Sequence, residues 1–77
     1  PDCFLLTADR LQMPPSKCVV VEDAPVGIAA ALAAGMKLIG LAGTHPPERL
    51  QAAGANSVVR SLDEITPDLV RSVATAP

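Results

Sequence analysis

Apolar residues follow two rhythms along this chain, and the switches between them mark out its elements. Phe4, Leu5, Ala8 and Leu11 recur at helical spacing within Pro1 to Gln12, and Pro14-Pro15 then stops that helix. Cys18-Val19-Val20-Val21 is a short β-branched run without alternation, which suits a strand buried on both faces of a parallel sheet. Pro25 fits the first turn of a second helix, where its missing N–H costs nothing, and Ile28, Leu32, Gly35 and Met36 line one face of it. Gly35 is a natural left-handed cap, and the chain passes directly into a second β-prone run from Lys37 to Leu41. After the loop Ala42-Gly43-Thr44-His45, Pro46-Pro47-Glu48-Arg49 opens a third helix that ends at Gly54, and a third brief strand follows. Ser61-Leu62-Asp63-Glu64 has the form of a capping box, and Thr66-Pro67-Asp68 starts a last helix with Ile65, Leu69 and Val73 on one face. The tail from Ala74 to Pro77 is expected to fray.

The expectation is an α/β fold with about three parallel strands, near 18–22, 37–41 and 56–60, and flanking helices. Two stretches support the alternation, Ala33-Ala34-Gly35 before the second strand and Ala52-Ala53-Gly54 before the third. Their repetition is too little for a solenoid. It is one device used twice, a helix end, a glycine cap and a strand, as consecutive units of a parallel sheet require.

Length and composition narrow the function classes. The 77 residues, 49% hydrophobic and 18% charged, make at most one small domain, and any large cleft must be completed by something else. Net charge is only −2, with six Lys and Arg against eight Asp and Glu, and Phe4 is the single aromatic residue. A nucleic-acid partner is therefore not expected, for want of a basic surface or stacking rings. Val26 to Gly43 is almost uninterruptedly apolar, but Lys37 and the glycines interrupt it and its pattern splits into helix and strand, so no membrane span is expected. Cys3 and Cys18 lack metal-ligand spacing and read as buried structural thiols. With no basic leader ahead of an apolar core, a reducing, cytoplasmic setting is expected.

In open parallel sheets, ligands gather beyond the carboxyl ends of the strands, where loops and helix N-termini converge. Glu22 and Asp23 stand at that end of the first strand. Two adjacent carboxylates there are placed to hold a hard divalent cation such as Mg²⁺ through oxygen ligands. The alternative is that Asp23 or Ala24 only caps the second helix and Glu22 is a solvated rim residue. His45 offers a general acid or ligand on one reading and a turn residue on the other. Ser57, Ser61 and Thr66 lack a His-Asp partner set and read as caps or strand ends. Gly40 and Gly43 make neither a GxGxxG nor a P-loop pattern, so no nucleotide site is assigned.

The string Val19-Val20-Val21-Glu22-Asp23-Ala24-Pro25-Val26-Gly27-Ile28, followed by Ala30-Ala31 and Ala33-Ala34-Gly35-Met36, resembles the fourth motif of the haloacid dehalogenase superfamily of hydrolases. More narrowly, it looks like the branch of phosphoglycolate phosphatases, small sugar phosphatases and β-phosphoglucomutase. Pro1 to Leu5 looks like the segment after that family's third-motif lysine, and Thr44 to Leu50 with Ala53-Gly54-Ala55 resembles its later loop and helix. The resemblance implies the C-terminal half of a Rossmann-like core, with residues 1–77 forming a partial domain.

It also implies a mechanism in which an Asp nucleophile attacks a phosphate ester and the aspartyl-phosphate is resolved by water or a sugar hydroxyl. Mg²⁺ is the implied cofactor and a small phosphorylated metabolite the implied substrate. Carried over by position, Asp23 matches the metal-binding acid and Glu22 its neighbour, while Ala24 replaces a hydroxyl residue found in other members. The Asp-x-Asp motif, the phosphate-binding Ser or Thr, the cap domain and the third-motif lysine would lie upstream of Pro1. No catalytic residue is therefore assigned within the chain, and the isolated 77 residues are expected to be inactive. Lys17 and Lys37, at or near strand starts, are at the wrong end of the sheet to replace that lysine.

A phosphosugar mutase shares every residue visible here. A non-catalytic α/β module that binds a protein partner is the alternative from another class, and a receiver-like phosphoacceptor would need acidic residues from two strands. In the family's sheet the first strand of this chain borders one that the chain lacks. Its unpaired edge leads to the expectation that the isolated chain self-associates.

Overall fold

The computed structural model describes residues 1–77. Helix α1 (Asp2–Arg10), a 3₁₀ turn (Pro15–Lys17), strand β1 (Val19–Glu22), helix α2 (Pro25–Ala33), strand β2 (Lys37–Leu41), helix α3 (Pro47–Ala52), strand β3 (Ser57–Val59), a second 3₁₀ turn (Leu62–Glu64) and helix α4 (Pro67–Ala74) follow in order. The three strands are parallel in the order β1-β2-β3, with Val19 opposite Lys37 and Ile39 opposite Ser57. All three expected strands and their direction are present.

The sheet lies between two helical layers. On one face Ile28 and Ala31 of α2 and Leu50 of α3 pack with Leu38 and Ala42, and Phe4, Val20 and Val58 border them. Beside this cluster Ala8 of α1 meets Ala34 and Met36. On the other face Val73 of α4 packs on Ile39 and Val59, bordered by Val19, Leu41, Ile65 and Leu69. This alternation of sides along each strand is the period of two that pleating imposes.

Helices α2 and α3 end in the same hydrogen-bonded form. Met36 N–H donates to Ala31 C=O at 3.0 Å and Gly35 N–H to Leu32 C=O at 2.9 Å; Ala55 donates to Leu50 at 3.2 Å and Gly54 to Gln51 at 3.0 Å. Gly35 and Gly54 take φ of 79° and 110°. These are Schellman caps, which need a residue in the left-handed region.

Several expectations need correction. The first strand is not buried on both faces: Val19 and Val20 are half-buried and Val21 is 44% exposed, because β1 is an outer strand with a neighbour on one side only. In α2 the buried residues are Ile28 and Ala31, while Leu32 lies over the outer side of Gly54, where a Cβ would come within 2.5 Å of its Cδ1. Helix α1 buries only Ala8, leaving Leu5 and Leu11 exposed, since no further layer covers its outer side. Cys3 is exposed and is not a buried thiol; Cys18 is half-buried, and both are free. Past the end of α4, Thr75 Oγ1 donates to Arg71 C=O at 2.9 Å, and the Lys37 ammonium donates to the carbonyls of Ala76 and Pro77. No helix is long and apolar enough to cross a membrane.

Candidate functional site

β1 ends at Glu22, and the chain turns at Asp23-Ala24 into α2. Pro25 at the first helical position is compatible with the turn, and Ala24 C=O accepts the first helical bond from Ile28 N–H at 3.0 Å. Val21, Glu22 and Asp23 line an open depression of about 160 Å³ together with Leu41, the last residue of β2. It lies at the carboxyl ends of two adjacent parallel strands.

The two carboxylates differ in their setting. Glu22 is half-buried, and its Oε1 accepts a hydrogen bond from Asp23 N–H at 3.0 Å. Its side chain lies across Gly27, filling the space that a Cβ at position 27 would occupy. Asp23 is exposed, and its carboxylate enters no hydrogen bond or ion pair within the chain. The N-cap of α2 is Ala24, without a side-chain cap bond, so the capping role weighed for Asp23 is not the one it takes. No three His, Cys, Asp or Glu side chains come together anywhere in the chain. The chain contributes two hard oxygen donors to this corner.

The other candidates lie elsewhere. His45 is half-buried, and its carbonyl closes a turn by accepting from Gly43 N–H at 3.2 Å. Ser61 Oγ accepts from Asp63 N–H at 3.2 Å while Glu64 Oε2 accepts from Ser61 N–H at 2.9 Å, the expected capping box, here around a 3₁₀ turn. Thr66 Oγ1 caps α4 by accepting from Leu69 N–H at 3.2 Å. Lys37 starts β2 and Lys17 precedes β1, both at the amino ends of the strands, away from Glu22 and Asp23.

Two contributors escaped the sequence reading. Gly27 gives Glu22 its room, and the signal was available, because a glycine inside a short helix is costly without a packing reason. Leu41 completes the depression, a role visible only once β2 is paired with β1 in register.

No family model matches the chain. Among known proteins, it is 42% identical over 66 residues to hexitol phosphatase A of Escherichia coli, covering 86% of this chain and 30% of that protein. It is 37% identical over 70 residues to β-phosphoglucomutase of Bacillus subtilis, covering 91% and 29%. A haloacid dehalogenase family IA hydrolase from Entamoeba histolytica superposes with a TM-score of 0.90 at 32% identity, over 99% of this chain and 34% of that one. A haloacid dehalogenase family hydrolase from Deinococcus radiodurans, solved with phosphate and sodium bound, superposes with a TM-score of 0.81 at 36% identity, over all of this chain and 36% of that one. The chain thus spans about a third of the length of these relatives. Sequence and fold agree across nearly all of its residues, and the chain belongs to the haloacid dehalogenase superfamily of hydrolases.

Proposed function

We propose that Glu22 and Asp23 form one corner of the Mg²⁺ site of a phosphatase acting on a small phosphorylated metabolite, a sugar phosphate or phosphoglycolate. The observation that carries the reading is the free Asp23 carboxylate beside the packed Glu22 carboxylate, at the carboxyl end of β1. Mg²⁺ is characteristically held by one or two protein carboxylates plus phosphate oxygens and water, and this donor set fits that demand. When bound, it would neutralise charge on the transferring phosphoryl group and orient its oxygens.

The chain's own residues act by position. Asp23 presents its oxygens to the depression without an internal partner competing for them. Glu22, held by the Asp23 N–H and by packing over Gly27, keeps a second carboxylate beside it. The nucleophile and general acid, an Asp-x-Asp pair forming an aspartyl-phosphate in this reading, would come from outside these residues. The 77 residues alone are then inactive. Support for a phosphorylated sugar substrate comes from relatives named hexitol phosphatase, trehalose-phosphate phosphatase and fructose-1-phosphate phosphatase. A phosphosugar mutase is the second reading, favoured by the match to β-phosphoglucomutase.

The test uses the protein expressed from the whole open reading frame. With Mg²⁺ and a panel of sugar phosphates and phosphoglycolate, Asp23→Asn is expected to lower phosphate release by about 10–100-fold, with partial recovery at high Mg²⁺. Unchanged turnover at limiting Mg²⁺ would remove Asp23 from the site.

A further inference from the structure

No further inference is drawn: the strongest candidate, the exposed apolar face of α2 formed by Val26, Ala29, Leu32 and Ala33, carries none because nothing in the structure shows what covers it.

Discussion

Gly27 shows how a single missing side chain can make room for a neighbour. Its Cβ position is taken by the Glu22 side chain, whose carboxylate also receives the Asp23 N–H. The obstructing atoms belong to the far end of a flexible side chain, so an added methyl displaces Glu22 without unfolding the helix. Gly27→Ala should leave stability within about 1 kcal/mol of wild type, because the gain in helix propensity offsets the lost contact. Under the proposed function, phosphatase activity of the protein expressed from the whole open reading frame should fall as Glu22 is displaced, and thermal melts run beside turnover assays would separate the two effects. Equal loss of melting temperature and activity would make Gly27 a packing residue only.

At the scale of elements, one termination device serves three helices. Met13 N–H donates to Ala8 C=O and Gln12 N–H to Asp9 C=O, both at 3.0 Å, repeating at α1 the pattern that ends α2 and α3. There the left-handed position holds Gln12, with φ of 57°, in place of glycine. A side chain at such a φ costs roughly 1–2 kcal/mol, part of which glycine returns as unfolded-state entropy. Gln12→Gly should stabilise the chain by about 0.5–1 kcal/mol, seen as a raised urea midpoint at unchanged slope. The two glycine caps were legible because Ala-Ala-Gly stands before a β-prone run in both places. The third was not, since neither Gln12 nor the Pro14-Pro15 break names the conformation between them.

For the whole molecule, compactness and protection diverge. The radius of gyration, 11.6 Å, matches the roughly 11.5 Å expected of a folded chain this long, yet only 12 of 77 residues are buried. Folded domains of this length carry about 4–12 kcal/mol of stability, and so open a core places this one at the low end. Leu50 is fully buried and closes on Gly40, where a Cβ would lie 3.2 Å from its own. Leu50→Ala should cost about 2–5 kcal/mol and leave the isolated chain largely unfolded by circular dichroism. A cooperative melt near that of wild type would mean that the core is less dependent on this cluster than its burial indicates.

The sequence by itself determined the alternation of helix and strand, the parallel direction of the sheet, two of the three helix caps and the place of Glu22 and Asp23 at a strand's carboxyl end. These are local properties, written in the spacing of apolar residues and in the positions of glycine and proline. Only the tertiary structure decided that Val21 is exposed, that Leu5, Leu11 and Cys3 lie in solvent, and that the Lys37 ammonium reaches the backbone oxygen of Pro77. It alone separated the packed Glu22 from the free Asp23 and gave the helix cap to Ala24. Exposure, edges and unpaired carboxylates depend on what else is nearby, and a residue's neighbours across the sheet are set by pairing register and layer packing, which no stretch of sequence contains alone.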